Sequence, residues 1–113
     1  MQLAEKTHVL EARIQCLITA LIHNYTSRYG EQSIDYEIVS GTKYYKLVMV
    51  DNPGTNREGR SVHAFIARQT GAVYKPASFK APAKHVRYNL LDEVSYETCL
   101  HNADWAGSYL YMK

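Results

Sequence analysis

Four short segments that alternate apolar and polar side chains, joined by tight turns, restrict the fold more than any other feature of this sequence. Such alternation is typical of half-buried strands. The predicted strands span residues 34–39, 43–50, 61–68 and 72–75, with turn residues between them at Ser40-Gly41-Thr42, Asn52-Pro53-Gly54 and Thr70-Gly71. Because short connections join antiparallel neighbours, the sequence predicts an antiparallel meander.

The third of these strands has a regular alternation over most of its length. We expect Val62, Ala64 and Ile66 to lie on one face of the sheet. His63 and Phe65 are then expected to share the opposite face.

The N-terminal part of the chain, residues 2–28, repeats its apolar side chains at helical spacing. Leu10, Leu17 and Leu21 lie on one side of a predicted long amphipathic helix, and Gly30 marks its C-terminal end. The apolar side is wider than a single small sheet needs. We therefore expect part of this helix to contact another copy of the chain.

A second helix is predicted after the meander. Its expected N-cap is Asn89 or Asp92, and it runs to about residue 102. Residues 105–112 are expected to form a final edge strand or a packed arm. The chain from residue 1 to 113 is therefore predicted to be one α+β domain: a long N-terminal helix packed on an antiparallel sheet of four to five strands, with a second C-terminal helix.

The composition is that of a globular protein and not of a generic nucleic-acid coat, because the net charge is only +2 over 113 residues. Cys16 and Cys99 lie in apolar helical patterns without a CxxC partner, so we expect two buried, reduced thiols, with a disulfide as the alternative. Charged residues near the N-terminus argue against a signal peptide, and no run approaches the roughly 20 apolar residues of a membrane span. These features predict a cytoplasmic location.

The stretch from residue 74 to residue 90 carries the strongest chemical signal. It contains two prolines, four cations, one histidine, three aromatic rings and no acid. Pro76 and Pro82 lack amide donors, so regular structure is not expected to continue through it. The sequence predicts a stiff loop that presents cations beside flat rings, which suits a phosphate-bearing ring compound. One alternative is a solvated lysine-rich loop. A separate alternative for Phe79 is a loop anchor buried in the core.

Individual side chains of this stretch suit different parts of such a ligand. Phe79 can stack on a purine, and the Asn89 amide can both donate to and accept from a base edge or a ribose hydroxyl. The phosphates would be neutralised by cations from this loop and from the loop before the third strand: Arg57, Arg60, Lys80, Lys84 and Arg87.

Signatures of catalysis and of cofactor binding are missing from the sequence. The five histidines form neither HxH nor HExxH, and no GxxxxGK or GxGxxG occurs. No general acid and base stand out. We therefore expect a binding protein that has no metal, no cofactor and no enzymatic activity.

Segments 62–66, 70–84 and 87–92 resemble small phage and prophage proteins, most of all the Thoeris anti-defence family, and segment 103–107 is similar to such proteins as well. The resemblance implies a long N-terminal helix, an antiparallel sheet and assembly into dimers or higher oligomers, up to hexamers. It also implies sequestration of a cyclic ADP-ribose isomer, without cleavage, in the infected bacterial host cell. C-terminal arginines contribute in some members, and this chain has only Lys113 there.

The resemblance also implies roles for individual residues. Phe79 and Asn89 match the aromatic ring and the amide that contact the nucleotide, and Arg57 matches a loop arginine. Some members hold cyclic oligonucleotides at a separate site. Such a second site, formed by helices at a symmetry axis, would use Arg28 and Gln15.

The sequence supports three functional hypotheses. The first is a non-enzymatic binder of a cyclic signalling nucleotide, with the pocket closed at a homomeric interface. Nanomolar affinity corresponds to about −12 kcal/mol, which is more than one exposed loop supplies.

The second hypothesis is a module that binds RNA or another single strand, and the modest net charge counts against it. The third is an inhibitor of a host protein that uses a tyrosine-rich sheet face. Neither a DNA nor a membrane partner is expected.

Overall fold

The structure, a computed structural model, describes the backbone of residues 3–111 and the side chains of residues 4–111. Gln2 at the start of the first predicted helix, and Met112 and Lys113 at the end of the tail, lie outside the described residues. The elements are α1 (Leu3–Tyr29), β1 (Ile34–Ser40), β2 (Tyr44–Asp51), β3 (Gly59–Ala67), β4 (Ala72–Tyr74), β5 (Tyr88–Asn89), α2 (Glu93–Asn102) and a 3₁₀ turn (Ser108–Leu110).

The predicted α+β architecture is confirmed. The strands form one antiparallel sheet in the order β1-β2-β3-β4-β5, and α1 and α2 contribute to one hydrophobic core with it. The sequence does not predict β5, which is only two residues long. The N-cap of α2 is Asp92, whose carboxylate accepts from the Ser95 N–H at 3.0 Å. Neither helix within residues 3–111 is long and apolar enough to cross a membrane.

The first helix, α1, buries the side that its spacing predicts. Leu10, Ile14 and Leu21 are fully buried in the core. The helix ends at Tyr29, and the next residue, Gly30, has a φ of 83°, the left-handed conformation that favours glycine. The sheet and α2 of the same chain bury this apolar side. These positions are therefore covered within one chain, and the expected contact of α1 with another copy stays a prediction.

The two cysteines differ in exposure, although the sequence predicts both to be buried. Cys99 is buried in the core, and burial raises the pKa of its thiol to about 12. Cys16 is exposed. It follows the buried Ile14 by two residues, which places it about 200° around the helix from the core. Both are free thiols, and the prediction of a buried Cys16 is wrong.

A β-bulge interrupts the regular alternation of β3. The pairing of β2 with β3 shifts by one residue between Leu47 and Val48, which leaves His63 without a partner on β2. His63 consequently lies on the helix-covered side, where its ring centroid is 5.5 Å from that of Tyr36. Phe65 stays on the opposite side of the sheet. The prediction that His63 and Phe65 share a face is therefore wrong.

Part of the side of the sheet that faces away from the helices is also buried, although no helix covers it. Val48 and Val50 of β2 are 1% and 2% exposed although neither belongs to the core shared with α1. Glu37 of β1 and Arg60 of β3 form an ion pair that spans β2. The apolar stems of the two charged residues therefore lie over these valines. We call this side the helix-free face.

The C-terminal tail is a packed arm, one of the two predicted alternatives, and not an edge strand. Leu110 in the 3₁₀ turn is 1% exposed. The Trp105 N–H donates to the Asn24 amide oxygen of α1 at 3.1 Å, and Arg87 Nε donates to the Leu110 carbonyl at 2.7 Å. We call residues 103–111 the C-terminal arm.

Candidate functional site

The predicted stiff loop is a small hairpin closed by backbone hydrogen bonds. Pro76 and Pro82 pair as an isolated antiparallel bridge, and three N–H···O bonds of 2.7–3.1 Å join the two sides. At the tip, the Ser78 hydroxyl accepts from two backbone N–H groups at 3.2 Å each. These bonds fix the backbone that carries Phe79. We call residues 75–83 the proline hairpin.

Phe79 presents its ring on the helix-free face. The side chain is 54% exposed, so Phe79 is not the buried anchor of the alternative hypothesis. The ammonium of Lys46, on β2, lies 4.4 Å from the centroid of the Phe79 ring and 5.7 Å from the centroid of Phe65. This cation–π contact joins the tip of the proline hairpin to the sheet and leaves part of the ring open to solvent.

A cavity beside the tip is strongly cationic. Its volume is about 240 Å³, and no acid lines it within residues 4–111. The walls include three lysines and two aromatic rings: Lys43, Lys46, Lys80, Tyr44 and Phe65. We call these five residues together with Phe79 the lysine–aromatic surface. Its positive potential favours an anionic ligand, and its rings favour a flat one.

A second cavity, of about 360 Å³, lies on the other flank of the tip. Phe79 and Arg60 both line it. Glu37 holds the Arg60 guanidinium, and this bond lowers the pKa of the Glu37 carboxyl. Because both side chains are exposed to solvent, the ion pair is weak, and a phosphate can compete for the guanidinium.

Asn89 lies away from the Phe79 ring. Its side-chain oxygen accepts from the Leu91 N–H at 2.8 Å, and a Cβ added at Gly71 would approach that oxygen to 2.9 Å. The amide therefore shapes the turn that leads into α2. Asn89 is on β5, three strand spacings or about 14 Å from β2, where Lys46 contacts Phe79. The structure does not bring the two predicted contact residues together within one chain.

The Arg87 guanidinium is occupied by backbone carbonyls. It donates to the carbonyls of Lys84 and His85 as well as to that of Leu110. The side chain is half-buried. Arg87 therefore fastens the segment after the proline hairpin to the C-terminal arm, and a phosphate would have to displace these bonds to reach it.

The remaining predicted cations of this region differ in position. Arg57 lies in the loop between β2 and β3, Lys84 follows the proline hairpin, and both are exposed. Neither of them lines the two cavities at the tip. Lys80 lines the cavity of about 240 Å³, and Arg60 lines the cavity of about 360 Å³.

The two residues proposed for a second nucleotide site lie far apart on α1, Gln15 near its middle and Arg28 in its last turn. Arg28 lines a cavity of about 560 Å³ with Tyr29 and Trp105. Gln15 lines another, of about 400 Å³, between α1 and the end of β1. Thirteen helical residues separate them by about 20 Å. One small ligand therefore cannot touch both within a single chain.

Sequence reasoning missed Lys43, Tyr44 and Lys46, which belong to the lysine–aromatic surface. The alternation of core and non-core side chains along the second strand could have revealed the position of Lys46. Tyr45 and Leu47 are buried in the core, so the residue between them must lie on the helix-free face. A lysine at that position, opposite Phe65 in the neighbouring strand, indicates a cation among rings.

A separate group of titratable side chains, from β1, β3 and the C-terminal arm, is buried on the helix-covered side of the sheet. Burial lowers the pKa of His63 to about 4. The His63 Nε2 lies 2.8 Å from the hydroxyl of Tyr109, and burial raises the pKa of this phenol. Burial also raises the pKa of Tyr36, whose oxygen has no hydrogen-bond partner among residues 4–111. All three groups are therefore neutral near pH 7.

The comparisons with known proteins identify a family without assigning it an activity. No curated protein and no solved structure matches the chain significantly. The profile of a family of unknown function, DUF7717, matches residues 2–112. The match specifies neither a ligand nor a reaction, so the resemblance to the Thoeris anti-defence family stays a prediction. Because the match covers almost the whole sequence, this chain belongs to the DUF7717 family.

Proposed function

We propose that this protein binds a cyclic signalling nucleotide on the lysine–aromatic surface and sequesters it without cleaving it. The observation that supports the proposal is the exposed Phe79 ring, held by Lys46 beside a cavity lined by three lysines. A base would stack on the open part of the ring, and the phosphates would pair with the lysines. Stacking and charge pairing are the two interactions that a phosphate-bearing ring compound requires.

Sequestration requires affinity and does not require turnover. The lysines that surround the cavity supply charge, and their flexible stems can follow different phosphate positions. The proposed anti-defence role, in the cytoplasm of an infected bacterial cell, rests on the sequence resemblance. In that role the protein would lower the free concentration of an immune signal, so its concentration and its dissociation constant set its effect.

Calorimetric titration with a cyclic ADP-ribose isomer tests the proposal. Phe79→Ala should weaken binding by about 5- to 150-fold, because a stacked base contributes about 1–3 kcal/mol. Val86→Ala is the matched control, since Val86 is an exposed apolar residue of the same region and lines neither cavity at the tip. Unchanged affinity in the Phe79 variant would remove the proposed site.

The lysines can be tested in the same titration. Lys46→Met should weaken binding strongly because it removes both a phosphate partner and the contact that holds the ring. Lys84→Met should have little effect, because Lys84 is exposed and lies outside both cavities. Recovery of intact nucleotide after denaturation of the complex would distinguish sequestration from hydrolysis.

A second candidate function is binding of single-stranded RNA. It is favoured by the row of rings on the helix-free face, where the Tyr44 centroid lies 5.9 Å from Phe65 and 6.0 Å from Tyr74. Sheets that carry rings beside cations serve as stacking platforms for successive bases. Filter binding of mixed oligonucleotides at two salt concentrations separates the candidates. Tight binding that grows with strand length and falls steeply with salt supports RNA, whereas a preference for the cyclic nucleotide supports the first proposal.

A further inference from the structure

A cavity of about 310 Å³ lies between β3 and the C-terminal arm, and neither Phe79 nor Lys46 lines it. Its volume is at the lower end of the range of pockets that hold small organic molecules. Trp105 and Tyr111 contribute aromatic rings to the walls, and Met49 adds an apolar side chain. We call it the arm cavity.

The charge in the arm cavity comes from Lys75. Its ammonium lies 4.7 Å from the centroid of the Tyr111 ring. Within residues 4–111, no other lining side chain carries a formal charge at neutral pH. The cavity therefore favours a ligand with a single negative charge over a polyanion.

A buried imidazole supplies the second polar group. His63 lines the arm cavity and is 7% exposed. Its Nε2 is the hydrogen-bond partner of the Tyr109 hydroxyl at 2.8 Å, and residues 4–111 offer that hydroxyl no other side-chain partner. If Nε2 carried the proton, the hydroxyl proton would be buried without an acceptor, which is unfavourable. The favoured arrangement has Tyr109 donating to Nε2, so that the proton of the neutral ring is on Nδ1.

The ring edge of His63 that carries Cε1 and Nδ1 lies beside Gly107. A Cβ added at Gly107 would lie 3.9 Å from Nδ1, and Gly107, with a φ of 82°, has no side chain to occupy that space. Within residues 4–111, Nδ1 of His63 has no hydrogen-bond acceptor. Nδ1 is also not one of the atoms of these residues that are shielded from solvent and lack a hydrogen-bond partner. An N–H donor and an ammonium therefore both border the arm cavity.

We propose that the arm cavity binds a small planar carboxylate. One carboxylate oxygen would accept from Nδ1–H of His63, and the ammonium of Lys75 would neutralise the charge. The flat part of the ligand would lie against Trp105 and Tyr111. This site is separate from the lysine–aromatic surface and does not depend on the proposed nucleotide function.

The single tryptophan of the sequence provides the readout, because Trp105 lines the arm cavity. In ¹H–¹⁵N spectra its indole N–H gives one resonance. Titration with benzoate should shift this resonance and saturate in the millimolar range or below. Benzamide, which has the same shape without the charge, should bind at least about fivefold more weakly, as a lost charge-assisted contact requires.

Lys75→Met is the decisive variant, and Lys80→Met, which removes a cation at the other site, is its matched control. The Lys75 variant should bind benzoate and benzamide with similar affinity, whereas the Lys80 variant should keep the preference for benzoate. A resonance that does not shift saturably with benzoate, or a preference that survives in the Lys75 variant, would overturn the proposal. Phe79→Ala should leave the benzoate response unchanged. The nucleotide proposal and the carboxylate proposal can therefore fail independently of each other.

Discussion

The charge state of His63 links the stability of the fold to pH. In the unfolded chain this imidazole takes up a proton near its ordinary pKa of 6.5, whereas burial lowers its pKa in the folded chain to about 4. The unfolded state therefore binds more protons between these values, and stability falls as the pH falls from about 6.5 to about 4. The loss attributable to His63 should reach about 3 kcal/mol at the lower end.

Urea denaturation at about pH 7.5 and about pH 5 measures this effect. His63→Gln should be less stable than the wild type at the higher pH, because it disturbs the contact with Tyr109, but it should lose less stability on acidification. His8→Gln is the matched control, since His8 is exposed on α1. Equal pH dependence in the wild type and the His63 variant would show that the imidazole is not held neutral.

Single residues show where sequence reasoning succeeds and where it fails. Phe79 was recognisable because two prolines isolate it in a cationic stretch, and the structure places it at an exposed tip. Asn89 and Arg87 have the right chemistry for a ligand, yet backbone groups of the same chain occupy both side chains. Residue type alone cannot show this, because the sequence is the same whether a polar side chain bonds to the backbone of its own chain or is free to bind a ligand.

At the level of elements, Arg87 connects two segments that have little regular structure of their own. Its guanidinium donates to the carbonyls of Lys84 and His85, which follow the proline hairpin, and to the carbonyl of Leu110 in the C-terminal arm. Arg87→Met should therefore destabilise the protein by about 2–3 kcal/mol, because carbonyls bonded to a charged donor lose their partner.

Urea denaturation combined with hydrogen exchange checks this prediction. Amides of the C-terminal arm should exchange faster in the Arg87 variant, while those of α1 should change only as much as global stability changes. Lys84→Met is the control for loss of a nearby charge. If the arm of the Arg87 variant exchanged as slowly as in the wild type, the guanidinium would not be what holds it.

The predictability of the elements follows from the range of the interactions that form them. The long helix α1 and the first four strands have strong local periodicity, and their predicted bounds lie within about two residues of the observed ones. The bulge opposite Leu47 and Val48 and the short strand β5 leave no such local signal, because both depend on pairing with a distant strand. The bulge alone moves His63 to the other side of the sheet.

At the scale of the whole molecule, the sheet separates two chemically different regions. Its helix-covered side holds the core and the buried His63, and its helix-free face holds the lysine–aromatic surface. The cationic stretch of the sequence supplies two of the six residues of that surface, Phe79 and Lys80. The other four come from β2, from the residue before it and from β3, and only the register of the sheet places Lys46 under Phe79. A surface shared between distant segments therefore requires the fold before it can be recognised.

The lysine–aromatic surface is open in the single chain, and tight sequestration requires enclosure. Phe79 of this surface and Val39, which lines its cavity, are 54% and 45% exposed. A second copy placed over them would bury apolar area and close the cavity, which gives the predicted homo-oligomer a location. We therefore expect a cyclic ADP-ribose isomer to raise the mass in solution from the 12.9 kDa of one chain to at least twice that value.

Light scattering coupled to size-exclusion chromatography measures the mass with and without the nucleotide. Val39→Arg should keep the protein monomeric, because two copies would then place like charges together, while the added cation would not repel the phosphates. Val94→Arg makes the same change at a residue of α2 that is 73% exposed, and it should assemble like the wild type. A nucleotide-bound wild type that keeps the mass of one chain would show that a single copy suffices. A Val39 variant that assembles normally would place the interface elsewhere on the molecule.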